Sequence, residues 1–243
     1  MTDAQRLEHE HSREAIAHRL ATGRPPSYVR DWVQGGIDGA ITSFAIVAGA
    51  VGGGLGARVI VILGLSSLVA DAVSMAAANF SGTRAEAEER TRLLRQEERH
   101  IARDPAGERR EIEEIYRRKG VHGAELSRLV DILVADKARW IDVMLREEYG
   151  LAAQPRSPWR AGLATFAAFL ACGVVPIVPF LTGVAAAPLL AALLTALVFA
   201  GIGWAKGRLA PGPAWAGALE ILLIGSAAAT AAYAAGALID RLV

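Results

Sequence analysis

A single cysteine, Cys172, occurs in 243 residues, so neither a disulfide framework nor a cysteine-based zinc site can form within the chain. Charge is nearly missing from residues 33–83, where only Asp38, Arg58 and Asp71 carry it, and it thins out again after Ala161. Between those stretches, across 84–160, charged residues are dense. Such alternation points to two environments, lipid and water, rather than one globule. No proline lies within 59–103, no run shows strand alternation, and no segment repeats. The N-terminus is charged and lacks an apolar h-region, so no cleavable signal peptide is expected and the first span must direct insertion. Soluble-enzyme signatures are missing too. Gly52-Gly53-Gly54 is not followed by Gly-Lys-Ser/Thr, and there is no Gly-x-Ser-x-Gly. Basic residues alternate with acids in the middle of the chain, which disfavours nucleic acid as a partner.

What is present is apolar length: hydrophobic residues make up 53%, and the mean hydropathy is +0.31. A helix needs about 20 apolar residues to cross a bilayer core. Segments 35–51, 59–80, 161–181, 185–204 and 215–239 fit that length. The predicted fold is therefore all-α: a five-span transmembrane helical protein with a helical insert between spans two and three. Its parts are an N-terminal tail (1–33), spans one and two (34–83), the insert (84–160) and spans three to five (161–243). The last three spans are rich in Ala and Gly, which lets helices approach each other or a partner chain closely.

Orientation follows the bias of basic residues toward cytoplasmic loops. Arg13, Arg19, Arg24 and Arg30 precede span one, many Lys and Arg fill the insert, and Lys206 and Arg208 follow span four. Loops 52–58 and 182–188 hold only Arg58. The tail and insert are expected in the cytoplasm and the C-terminus outside. Span two is expected to run on as one long helix until Asp104-Pro105 breaks it. A second insert helix fits 106–119. Helical spacing of Leu126, Leu129, Val130, Leu133, Val134, Trp140, Ile141, Met144 and Leu145 covers 124–149.

Two carboxylates fall inside predicted spans, Asp38 and Asp71. An ionisable group there costs several kcal/mol, from about 2.5 upward, and must face a cavity, a partner or an ion. Asp71 and Met75 share a helix face at i, i+4, a hard donor beside a soft one, which suits a borderline or transition metal. The plainer reading makes Asp71 a pairing group for a neighbouring helix and Met75 ordinary packing. Glu220, near the start of span five, is expected at the cytoplasmic interface. Pro176 and Pro179 in span three free carbonyls and kink the helix.

In the insert, Glu97 and His100 lie at i, i+3, Glu108 and Glu111 at i, i+3, and Met144 and Glu148 at i, i+4. If the helices bundle, these donors converge into a set suited to Fe²⁺, Mn²⁺ or Zn²⁺. The same spacing beside Arg is also the ordinary look of a solvated helix, as in Glu108-Arg109-Arg110-Glu111. The tail's Glu8-His9-Glu10-His11 binds metal loosely or is a plain polar segment.

Several motifs resemble those of the vacuolar iron transporter family, and the chain looks like a bacterial-type member. Asp31-Trp-Val-Gln-Gly-Gly-Ile-Asp38-Gly-Ala-Ile-Thr-Ser-Phe-Ala resembles its first-span signature, and Gly64-Leu-Ser-Ser-Leu-Val-Ala-Asp71-Ala-Val-Ser74-Met75 its second. Gly173-x-x-Pro176-x-x-Pro179 is similar to its third-span signature. Trp140-Ile-Asp-Val-Met144 and Glu148-Tyr-Gly150 look like the end of its cytoplasmic domain. The resemblance runs from about residue 30 onward.

The resemblance implies a homodimer of five-span subunits that moves Fe²⁺ out of the cytosol in exchange for protons, with Mn²⁺, Zn²⁺ or Co²⁺ as further candidates. Asp38 and Met75 match its translocation path, with Asp71 one turn from Ser67, which replaces a span-two acid. Glu97, Glu108, Glu111, Met144 and Glu148 match ligands of its cytoplasmic metal-binding domain. His100 stands where the plant pattern has a glutamate, and Leu145 where it has a second methionine. A protein embedded in lipid, in a bacterial inner membrane, is expected, and not an enzyme. The rival readings are a membrane-anchored ferritin-like di-iron oxidase, since Glu97-x-x-His100 resembles half of that ligation, and a metal-sensing scaffold that moves nothing.

Overall fold

The computed structural model describes residues 10–22, 25–152, 154–209 and 211–242. Among them every regular element is a helix: α1 (Arg13–Thr22), α2 (Val29–Gly52), α3 (Ala57–Arg103), α4 (Pro105–Arg118), α5 (Gly123–Val134), α6 (Lys137–Glu147), α7 (Pro158–Gly173), α8 (Val178–Leu181), α9 (Ala187–Leu209) and α10 (Ala214–Asp240). The chain divides into two compact units, Met1–Ser27 with Ala87–Arg156, and Tyr28–Glu86 with Ser157–Val243. Helix α3 belongs partly to each.

The second unit is apolar on its outside. Ile62 and Val73 of α3, Leu197 of α9 and Leu223 of α10 are 54%, 55%, 69% and 62% exposed. Side chains of this kind on the surface of long helices are stable in hydrocarbon, not in water. Among the described residues four helices are long and apolar enough to cross a membrane: Val29–Gly52, Ala57–Arg103, Ala187–Arg208 and Ala214–Asp240. The protein is accordingly an integral membrane protein.

The stretch expected as the third span departs from one unbroken helix. Helix α7 stops at Gly173, turns follow, and only the short α8 resumes. Pro176 has no N–H to continue the ladder. The N–H groups of Val175 and Ile177 fall back on the carbonyls of Cys172 and Val174, at 3.4 and 3.0 Å. The broken segment is well packed, with Ile177 and Phe180 in a core shared with Val47, Leu68, Ala72 and Phe169.

Helix–helix contact in this unit depends on missing side chains. A Cβ on Gly39 of α2 would meet the Phe169 carbonyl oxygen and lie 2.8 Å from Phe169 Cα, so α2 and α7 run side by side from their starts. A Cβ on Gly203 of α9 would meet the Gly217 carbonyl and lie 2.6 Å from Ala218 Cα, which seats the end of α9 on the start of α10. Small residues at such crossings are the usual means of close packing between membrane helices.

In the first unit α3 ends at Arg103, where Pro105 opens α4 as its first residue and the Asp104 carboxylate caps it, accepting from Gly107 N–H at 2.8 Å. The predicted second insert helix is thus found, within a residue at each end. The run 124–149 is not one helix: it divides into α5 and α6. Asp136 accepts from Arg139 N–H at 2.7 Å and starts a new helix there. The apolar positions nonetheless meet. Leu126, Val130, Trp140 and Met144 form one core with Ile112, and Ile141 and Leu145 form another with Leu93. Helix α1 buries no residue. Glu8 and His9 lie outside the described residues.

Candidate metal centre

Helix α3 carries Glu97 and His100 one turn apart, and the turn at Asp104 brings Glu108, in the first turn of α4, back against them. One ligand atom from each of the three lies within 4.8 Å of the others. His100 Nδ1 is 3.2 Å from Glu108 Oε1 and 3.9 Å from Glu97 Oε1. Both carboxylates are buried, Glu97 at 1% and Glu108 at 5% exposure, while the His100 side chain is 48% exposed and forms the open side of the cluster.

The hydrogen-bond accounts of the two glutamates do not close within the protein. Glu97 Oε1 accepts from the Tyr149 hydroxyl at 2.9 Å, and that hydroxyl in turn accepts from Gln96 Nε2 at 3.2 Å. Glu97 Oε2 and Glu108 Oε2 are buried without a hydrogen-bond partner among the described residues. Among the described residues no Lys or Arg is paired with Glu97, Glu108, Glu111 or Glu148. Buried carboxylates without a cation are costly, so they hold protons or bind an ion.

Electrostatics say the same. Burial, then repulsion from Glu111 and Glu97, pushes the Glu108 carboxyl up to about 8. Burial and the same two neighbours raise Glu148. Burial and the bond to Glu97 raise the Tyr149 phenol above its usual range. Carboxylate oxygens and an imidazole, poor in sulfur, form a donor set for divalent iron, manganese or zinc.

Of the six sequence-predicted donors, Glu97, His100 and Glu108 therefore come together. Glu111 and Glu148 stand near enough to repel them. The Met144 side chain is fully buried in the core with Ile112, Leu126, Val130 and Trp140. Sequence reasoning gave Tyr149 and Gln96 no role. A polar pair separated by 53 residues leaves no periodic trace.

In the membrane unit the Ser67 hydroxyl donates to Asp71 Oδ2 at 2.8 Å, and Asp38 and Asp71 are near enough to repel. Met75 packs on the apolar core beside Ala72 and Phe169. One residue went unnoticed in the sequence. The Asn79 amide nitrogen reaches Asp31 Oδ1 at 2.9 Å, the Ala161 carbonyl at 3.2 Å and Thr165 Oγ1 at 2.6 Å, tying α3 to α2 and α7. Its only sequence signal was an amide closing an Ala run. Glu220 is paired, each carboxylate oxygen 2.8 Å from Lys206 Nζ.

Membrane-length helices and a separate helical unit with buried, cation-deficient carboxylates define a membrane protein with a site suited to a divalent metal. The VIT family model matches residues 29–237, and the chain belongs to that family. It is 32% identical to the vacuolar iron transporter of Toxoplasma gondii over 91% of this chain and 78% of that protein. It is 29% identical to vacuolar iron transporter 1 of Eucalyptus grandis over 92% of this chain and 91% of that protein. To vacuolar iron transporter 1 of Arabidopsis thaliana it is 27% identical, over 84% and 83%.

Proposed function

We propose that this protein is a homodimeric divalent-metal/proton antiporter that removes metal, foremost Fe²⁺, from the cytosol. The chain crosses the membrane five times, α7 and α8 together making the third pass, with the insert and N-terminal tail in the cytoplasm and the C-terminus outside. The membrane is a bacterial inner membrane. Glu97, His100, Glu108, Glu111, Met144 and Glu148 capture the ion, which then passes between subunits along Asp38, Asp71 and Met75.

The observation that carries this reading is the pair of buried, partnerless oxygens, Glu97 Oε2 and Glu108 Oε2, beside His100. A divalent cation supplies what those oxygens lack. Ligands must shed protons to bind metal. Glu108, which holds its proton to about pH 8, therefore links metal capture to proton release. The names of the relatives support iron as the cargo. Repulsion between Asp38 and Asp71 supports their acting on a cation, since two acids this close in a membrane are costly without one.

The test is flux. Proteoliposomes loaded with a pH dye are given Fe²⁺, Mn²⁺, Zn²⁺ and Co²⁺ separately and in competition. Metal uptake accompanied by opposite proton movement supports antiport. Equal Fe²⁺ flux in wild type and Asp38→Ala would sink the pathway assignment, and metal binding without flux would favour a sensor.

A further inference from the structure

The five tryptophans are unevenly placed. Trp140 is buried in the first unit, while Trp32, Trp159, Trp204 and Trp215 are 48%, 77%, 48% and 65% exposed. Trp32 lies in the first turn of α2, Trp159 and Trp215 are the second residues of α7 and α10, and Trp204 is near the end of α9. The Gly39–Phe169 and Gly203–Ala218 contacts bring these helix ends together in pairs, and Gly36 abuts Ile202, joining the start of α2 to the end of α9. All four exposed indoles therefore lie at one end of the membrane unit. Arg30, Arg160, Lys206 and Arg208 lie at the same end. Amphipathic rings at the ends of membrane helices sit at headgroup depth.

One cation there differs from its neighbour. Lys206 is neutralised by both oxygens of Glu220. Arg208, exposed, has its guanidinium carbon 4.1 Å from the centroid of the Trp204 ring and no acidic partner among the described residues. The guanidinium thus sits over the indole face with its donors unclaimed by any acid among the described residues, an arrangement that suits a phosphate diester. The helices pack closely here: a Cβ on Gly207 would lie 2.6 Å from the Ala214 carbonyl oxygen, so the end of α9 sits directly against the start of α10.

We propose that the Trp204–Arg208 stack, with Trp215 on the facing helix, is a seat for the headgroup of an anionic phospholipid. The seat rests on the membrane reading of α9 and α10 and is independent of the metal. Its charge selects an anionic lipid over a zwitterionic one, and the indoles hold the glycerol region at their own depth.

The full chain is reconstituted in vesicles of phosphatidylcholine and phosphatidylglycerol at one fixed ratio. Bromine is carried on the acyl chains of one lipid or the other, and tryptophan quenching is compared. Wild type is expected to show excess quenching by brominated phosphatidylglycerol. In Arg208→Gln the enrichment at the seat should fall about fivefold, the effect of one basic residue at a charged bilayer surface. Arg208→Lys should retain most of it, and millimolar inorganic phosphate should leave it unchanged. Equal quenching by the two lipids, or an excess that survives in Arg208→Gln, overturns the seat. Loss of the excess on adding phosphate overturns the assignment to lipid. Quenching by neither lipid overturns both the seat and the membrane reading beneath it.

Discussion

His100 Nδ1 lies 3.2 Å from Glu108 Oε1 across the turn that joins α3 to α4. Among the described residues the imidazole is the one basic group within ion-pair distance of the two buried carboxylates. Burial, with repulsion from Glu111 and Glu97, holds the Glu108 proton on up to about pH 8. A metal must displace that proton, so affinity should fall about tenfold for each pH unit below 8. Mn²⁺ or Co²⁺ titrations of the purified chain at several pH values measure this, with proton release followed in weak buffer. An affinity that is flat from pH 6 to 8 contradicts the displacement.

The same shift sets the stability of the metal-free protein, with its sign opposite to that of a salt-bridged carboxylate. The Glu108 pKa is raised in the folded state from its ordinary 4.5 to about 8, so between those values the folded chain binds more protons than the unfolded one. Stability is full below the lower value and is lost as pH rises through the window. Glu108→Gln keeps the shape and removes the ionisation. With chelator present, the variant should melt higher than wild type at pH 9 and show a flatter pH dependence, while metal no longer stabilises it. Thermal unfolding in detergent at pH 5 and pH 9 reads both effects. A variant that melts lower than wild type at pH 9 would show that Glu108 is held by something other than proton or metal.

Tyr149 orients Glu97 through a 2.9 Å hydrogen bond and is itself oriented by Gln96. Tyr149→Phe keeps the ring against Leu93, Ile141 and Leu145 but frees the carboxylate to rotate. Loss of a partner that orients a ligand typically costs 10- to 100-fold in metal affinity, about the range expected here. Stability should change little, by about 1 kcal/mol for one hydrogen bond. A full-affinity Tyr149→Phe protein would leave the tyrosine with packing alone.

These contacts mark where the sequence was legible and where it was not. Continuous apolar stretches and the proline-free run to Arg103 announced the long α3, because hydrophobic length and helix breakers act locally. The buried faces of α5 and α6 were readable from Leu126, Val130, Trp140 and Met144 for the same reason. The break between those helices was not, since a cap at Asp136 interrupts the period by only two residues. The i, i+3 spacing of Glu97 and His100 put both on one face of α3, whereas the return of Glu108 depended on the angle of the Asp104 turn. Asn79 was illegible because its partners Asp31 and Thr165 lie 48 and 86 residues away.

Two glycines test the packing of the membrane unit with opposite signs. Gly82, in α3, has open space where a Cβ would go, so Gly82→Ala should stabilise by about 0.8 kcal/mol through helix propensity alone. A Cβ on Gly39 would strike the backbone of Phe169, with Cα at 2.8 Å and the carbonyl carbon at 3.0 Å. Backbone cannot swing aside like the tip of a side chain, so Gly39→Ala must push α2 away from α7. Overpacking of this kind costs about 1–3 kcal/mol, and the propensity gain offsets only part of that. Gly39 adjoins Asp38, so the displacement also moves a carboxylate of the proposed pathway. Gly39→Ala should melt lower than wild type and carry less metal per folded molecule, while Gly82→Ala melts the same or higher with flux unchanged. Thermal unfolding together with liposome flux separates the two effects. A Gly39→Ala protein with wild-type stability would show that α2 and α7 do not meet at this distance in the membrane.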